Sequence, residues 1–249
     1  MATKTRLVRN WLAEWTVTGL ILLFGTSTLM QAFVVPTPSM DTTIRVGEHL
    51  LVDKLVYAPA NDFSKALLPY ADVKRGDVIV FQYPLDEAQP YVKRVIGVSG
   101  DRIRFTDNQL ILNGHAVEEP YKRQNPGLRV PYLRNFPNEA PFPGIENRAI
   151  EMLQAHVVNG ELVVPPGMYF ALGDNRDNSA DSRFWGFFPR EKIYGKPVLV
   201  WWSYGGPQEH WQPQNAGHIW DHAQDMALHF FTKTRWERTF QRITSYPLG

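Results

Sequence analysis

Four stretches of this 249-residue chain carry polar residues whose types and spacing could do chemistry. In FVVPTPSMDTTI (Phe33 to Ile44), Ser39 stands between Pro38 and Met40, a few residues past a long apolar run. RGDVIVFQYP (Arg75 to Pro84) follows, then YVKRVIGVSGD (Tyr91 to Asp101), which sets Lys93 and Arg94 among apolar neighbours. GDNRDNSADSRFWG (Gly173 to Gly186) supplies Asp174, Arg176, Ser179, Asp181 and Arg183. A serine hydroxyl is a weak nucleophile until a neighbouring base takes its proton. None of the 7 histidines falls in these stretches, and there is no Gly-x-Ser-x-Gly elbow. Lysine remains as a base, a variant of the serine-triad logic.

On an extended strand, Tyr91, Lys93 and Val95 share one face, while Val92, Arg94 and Ile96 share the other. A lysine between apolar neighbours is desolvated, which disfavours its charged form and lowers its pKa. That suits a general base at neutral pH. Taken alone, the segment reads more readily as a solvated strand face bearing adjacent Lys and Arg.

Composition removes other chemistries. With no cysteine, disulfides, a thiol nucleophile and a thiolate zinc site are excluded. His218 and His222 have i,i+4 spacing but no metalloprotease-type carboxylate, so a structural or surface role is expected and no metal. A net charge of +1 offers no excess for nucleic acid. The 44% hydrophobic content argues against disorder, and 19 prolines with 18 glycines suit a turn-rich β protein.

Elements must then position these residues. After Lys4, Arg6, Arg9 and Glu14, no charge appears from Trp15 through Met40. Thr16 to Val35 is long enough for the about 20 residues of a spanning helix, and its Thr and Ser side chains can bond back to the helix. A cleaved secretory signal is the alternative, but its apolar part is usually about 7–15 residues with a small-residue cleavage site. A retained anchor is therefore expected, its basic end cytoplasmic and the rest of the chain outside. Beyond it, Gly47–Tyr57, Asp77–Tyr83, Tyr91–Val98, RIRF, QLIL, HAVEE, ELVVPPGMYFALGD and Lys196–Tyr204 read as strands. Asn113-Gly114 reads as a tight hairpin turn. Ala58 to Lys74 reads as a surface loop with a short helix, and Ile145 to Ala155 as a helix. In the tail, Ile219, Trp220, Ala223, Met226, Phe230 and Phe231 share a helical face, followed by Lys233, Arg235, Arg238 and Arg242. That face either packs on the domain or lies against anionic lipid.

The four stretches, in this order and behind an apolar anchor, resemble the bacterial type I signal peptidases of the S26 family, membrane-anchored serine proteases. The likeness covers about 33–105 and 165–204 well and 120–160 poorly. It implies a mainly β, signal-peptidase-like catalytic domain (36–119 and 161–206) with a small inserted subdomain (120–160). One N-terminal transmembrane helix (1–35 with the cytoplasmic terminus) anchors it, and 207–249 is a tail with an amphipathic helix. Ser39 would be the nucleophile and Lys93 the base. Thr37, with the Ser39 backbone N–H, would form the oxyanion hole. Ser179 would hydrogen-bond and orient Lys93, and Asp174, Arg94, Arg176, Asp181 and Arg183 would support the site, Arg94 pairing with Asp174. Phe33, Val35, Ile44, Tyr91 and Val92 would line two shallow apolar pockets for a substrate bound as an extended strand, cut after small residues of Ala-x-Ala type.

The expected partners are preprotein signal peptides and the phospholipid bilayer, near the protein-export translocon, with no cofactor and no nucleic acid. The expected location is the bacterial inner (plasma) membrane, single-pass, with the catalytic domain on the outer side. One departure from the family pattern stands beside the nucleophile: Met40-Asp41-Thr42 replaces the usual proline. Two other readings compete. One is a related Ser–Lys peptidase with another task, processing of a dedicated partner or a repressor-type self-cleavage that the anchor argues against; the other is an inactive tethered β module that only binds exported chains.

Overall fold

The computed structural model describes residues 2–57, 70–125, 127, 130–206 and 216–248. Helix α1 (Ala2–Phe24) leads through a π-helical turn (Gly25–Leu29) into strand β1 (Met30–Val34). Next come β2 (Glu48–Asp53), β3 (Val78–Tyr83), β4 (Asp86–Gly97), β5 (Arg102–Thr106), β6 (Gln109–Leu112) and β7 (His115–Ala116). Two helices, α2 (Pro131–Arg134) and α3 (Asn147–His156), precede β8 (Val157–Val158), β9 (Glu161–Val163) and β10 (Met168–Leu172). The rest is α4 (Ser182–Trp185), β11 (Phe188–Pro189), β12 (Ile193–Ser203), α5 (Ala216–Lys233) and β13 (Gln241–Arg242).

Among the described residues these strands make two antiparallel sheets. The larger runs β1-β2-β12-β3-β4-β10-β11, with β13 on β12; the smaller runs β7-β6-β5-β9-β8. Position in the sheet explains composition. Central β3 has Val78, Ile79, Val80 and Phe81 all buried, as a strand covered on both faces must. In β2 only alternate residues, including Leu50 and Val52, are buried. Asn113 and Gly114 both have positive φ, 52° and 84°, the twist that a two-residue hairpin needs.

The 120–160 segment does not form a separate core. Tyr121, Tyr132, Phe136, Ala149 and Met152 pack with Ile103, Leu110, Leu162 and Phe170 of the smaller sheet and β10 in one apolar cluster. The tail also returns to the domain. Phe240 N–H donates to Val200, Tyr246 N–H donates to Gly76, and Leu248 is buried in that same cluster. Of the tail's apolar face, Trp220 and Phe231 are exposed, and the side chain of Ile219 lies outside the described residues, as do residues 58–69 of the expected loop.

The window from Thr16 to Val35 is not a single helix. Helix α1 stops at Phe24, and from Met30 the chain pairs with β2, Phe33 opposite Leu50. Gly25 and the following Thr and Ser residues are weak helix formers, while an open strand edge offers the next five residues their backbone partners. No helix among the described residues is long and apolar enough to cross a membrane. Thr16 and Thr26 do bond back to the carbonyls of Leu12 and Leu22.

Candidate active site

The loop that carries Ser39 hangs from the end of β1. Val35 N–H donates to Glu48 and Gly47 N–H to Val35, extending the β1–β2 ladder by one step. Thr37, ahead of a proline, is extended (φ −127°, ψ 151°), as the clash with a proline ring demands. Pro38, Ser39 and Met40 then make a 3₁₀ turn. Met40 is buried in the core with Val35, Ile44 and Leu50, so the turn is nailed down just beyond Ser39. From the other side, Asn175 N–H donates to the Ser39 carbonyl at 3.0 Å and its side chain to the Pro38 carbonyl at 3.1 Å.

Lys93 arrives on β4, opposite Ile79 of β3. Its Nζ lies 2.7 Å from Ser39 Oγ and 3.1 Å from the Val92 carbonyl. It is 3% exposed and has no ion pair among the described residues. Burial pushes the amine from its ordinary 10.5 down to about 8, against the opposing pull of Asp181 and Asp174. The amine is thus poised to lose its proton near neutral pH. Thr37 Oγ1 stands 3.4 Å from Ser39 Oγ.

Behind the pair lies a set of buried ion pairs. Leu172 of β10 registers with Arg94, which brings the next turn, and Asp174, onto the Arg94 guanidinium. Arg94 donates to both Asp174 oxygens at 2.9 and 2.8 Å and to the Gly76 carbonyl at 2.8 Å. Arg183 is bidentate on Asp181 at 2.9 and 2.8 Å, and Asp181 also accepts from Gly173 N–H. Arg176 pairs with Glu119, just ahead of the inserted segment, and donates to the Gly173 carbonyl. Burial would neutralise Glu119, but Arg176 outweighs it and keeps the carboxyl below its ordinary range. Gly173 itself is required by space: an added Cβ would stand 2.2 Å from Ser179 Oγ and 2.5 Å from the Ser39 carbonyl oxygen.

A cavity of about 590 Å³ opens beside the hydroxyl–amine pair. Phe33, Val35, Tyr91 and Val92 line it, and Ser39, Lys93 and Ser179 reach it. Two expected roles are not realised. Ile44 is fully buried with Val35 and Met40 and does not line the cavity, because the turn after Ser39 carries it inward. Ser179 lines the cavity, but its buried Oγ makes no hydrogen bond to Lys93, whose contacts go to Ser39 and Val92.

Other contributors escape a linear reading. Thr43 Oγ1 donates to Asp174, Thr42 Oγ1 to the Tyr121 carbonyl at 2.6 Å, and Arg123 pairs with Asp41. Arg123 also bridges by backbone to the Asn175 turn. These partners lie 79 to 131 residues apart, and no local motif marks them.

Residues 8–202 match the protein family described as signal peptidase, peptidase S26. The chain belongs to that family. It is 36% identical over 207 residues to signal peptidase I of Pseudomonas fluorescens, covering 76% of this chain and 70% of the relative. Against signal peptidase I of Aquifex aeolicus (strain VF5) it is 33% identical over 228 residues, 79% of this chain and 85% of the relative. A crystal structure of a signal peptidase I from Enterococcus faecalis V583 shares 30% identity with a TM-score of 0.34, covering 51% of this chain and 97% of that one. As a member of the family the chain is a peptidase, a hydrolase that removes signal peptides from preproteins. The mainly β architecture expected from its turn-rich composition is present.

Proposed function

We propose that the chain cuts preproteins after small residues by a Ser–Lys mechanism at the outer face of a bacterial membrane. The observation that carries this reading is the 2.7 Å approach of Lys93 Nζ to Ser39 Oγ, both nearly inaccessible to water, beside an apolar cavity. In the neutral form, the lysine accepts the hydroxyl proton as Ser39 Oγ attacks the carbonyl at the signal-peptide junction. The Thr37 hydroxyl and the Ser39 N–H stabilise the resulting oxyanion. Protonated Lys93 then passes its proton to the departing amine, which is the new N-terminus of the mature chain. Water, deprotonated by the same lysine, hydrolyses the ester and frees the signal peptide. Phe33, Val35, Tyr91 and Val92 leave room for small side chains, and Asp174, Arg94, Arg176, Asp181 and Arg183 keep the two loops in register.

Helix α1 is the membrane contact in this reading. Trp15, Leu20, Ile21, Leu22 and Leu23 are all at least 60% exposed, an apolar surface that water does not tolerate at this extent. In this reading the crossing uses α1 together with the uncharged π-helical turn that follows it to Leu29; Lys4, Arg6 and Arg9 keep the start in the cytoplasm, which leaves the catalytic domain outside, close to where preproteins emerge.

The test is cleavage of a preprotein with an Ala-x-Ala junction by the full chain in lipid vesicles. Ser39→Ala and Lys93→Met are each expected to bind it and leave it intact. Ordinary cleavage by either folded variant moves the chemistry elsewhere.

A further inference from the structure

Tyr91 forms one wall of the cavity, and its ring is held from several sides. The Tyr83 ring stacks on it with centroids 4.3 Å apart and planes 9° from parallel. Phe81 meets it edge-on at 6.4 Å, and Lys93 Nζ stands 5.1 Å from its centroid. Tyr83 does not line the cavity. Among the described residues its other ring contact is edge-on to Trp185 at 6.1 Å, and Trp185 is fully buried against Phe188 and Phe81. A chain of rings therefore runs from the core through Tyr83 to the cavity wall.

The strands explain the geometry. Phe81 is opposite Tyr91 in the β3–β4 ladder, and the register slips between Gln82 and Tyr83. The slip sits where β3 leaves the core, and the first five residues of β4 are exposed. Tyr91 is only half-buried, so the core does not enclose it, and among the described residues its near-parallel ring contact is with Tyr83, at a shorter centroid distance than the edge-on Phe81. An offset stack fixes ring orientation in a way that general apolar contact does not.

We propose that Tyr83 is a specificity-positioning residue that holds the Tyr91 wall in place and so restricts the cavity to small side chains. The proposal rests on the pocket reading given under Proposed function. With the stacking face removed, the Tyr91 ring gains freedom to swing, the wall recedes, and a longer or branched side chain enters. Pockets that discriminate by one or two methylenes do so by about 10–200-fold, so losing the wall changes a ratio and not merely a rate.

The experiment measures kcat/KM of the full chain in lipid vesicles on peptides carrying Ala, Val or Leu at the first or third position before the cut. Tyr83→Leu is expected to raise the Val-to-Ala or Leu-to-Ala ratio at least about tenfold at one position, and Tyr83→Met to do the same should the Leu variant fold poorly. Tyr83→Phe keeps the stack and is expected to keep the wild-type ratio. A wild-type preference for Ala that Tyr83→Leu and Tyr83→Met leave intact overturns the proposal alone. So does a Tyr83→Phe variant whose ratio moves as far as that of Tyr83→Leu. A wild-type chain that cuts all three peptides equally well sinks the pocket reading together with this one.

Discussion

Lys93 and Arg94 are neighbours on β4, and both are buried, 3% and 0% exposed. Arg94 meets a carboxylate with both ends of its fork, a carbonyl at 2.8 Å and the ring of Tyr121 at 3.9 Å. Lys93 meets a hydroxyl and one carbonyl, and no carboxylate within ion-pair reach among the described residues. Equal burial therefore has opposite consequences. A guanidinium cannot shed its proton and must be paired to be tolerated. An amine left unpaired lightens its desolvation by becoming neutral. The strand alternation that sends adjacent side chains to opposite faces separates a fixed charge from a titratable one over a single residue.

That contrast can be broken most directly at Lys93. Lys93→Met is expected to lower kcat on a preprotein by on the order of 10⁶, as loss of a catalytic serine or its base does elsewhere, while the melting temperature holds or rises. A variant that is inactive because it is unfolded would void the contrast. Arg94→Met should do the reverse in energetic terms. It leaves Asp174 with Thr43 but without its cationic partner, which costs about 3–5 kcal/mol, read by chemical denaturation. A loss below about 1 kcal/mol would mean that the pair is not holding the loops.

The pH dependence sharpens the same point. With the amine at about 8 in the folded chain against an ordinary 10.5, the unfolded chain binds more protons between these values. Stability should accordingly rise with pH across that window and show no contribution from Lys93 below it. The share due to Lys93 should vanish in Lys93→Met, leaving that of Lys122, whose amine burial also pushes down. The activity kcat/KM should climb through about pH 8 and level off above it, following the neutral amine. A wild-type kcat/KM profile with no acid limb near pH 8 would assign the base to another residue. The smallest effect is expected at the partly exposed Arg123–Asp41 pair beside Ser39. Arg123→Gln should cost less than about 1 kcal/mol, with any loss of activity fading at high salt.

Much of the β framework is legible in a linear reading, because it rests on local rules. Asn113-Gly114 marks a hairpin through its tolerance of positive φ, and the apolar run Val78–Phe81 marks a strand covered on both faces. The anchor window is read too far. Hydropathy alone does not separate an apolar helix from an apolar edge strand, and Met30–Val34 takes the strand because β2 supplies partners. The inserted segment reads as separate because its prolines break local pattern, yet Tyr121, Tyr132 and Met152 complete a core begun by β5 and β6. Ile44 and Ser179 fail for a related reason. Motif position says which residues are near a site, but not which way the turn around Met40 or the bend at Gly173 points them.

By itself, then, the sequence determines the chemistry on offer: a serine without histidine help, a lysine among apolar neighbours, strands set by alternation and turn residues, and an apolar N-terminal stretch behind basic residues. The tertiary structure decides which of these groups meet. Ser39 and Lys93 are 54 positions apart in the chain, and their 2.7 Å approach exists because Met40 seats one loop in the core while β3 and β10 hold β4 between them. The lowered affinity of Lys93 for its proton has the same origin, since removal of water is a property of the packed interior and of no residue alone.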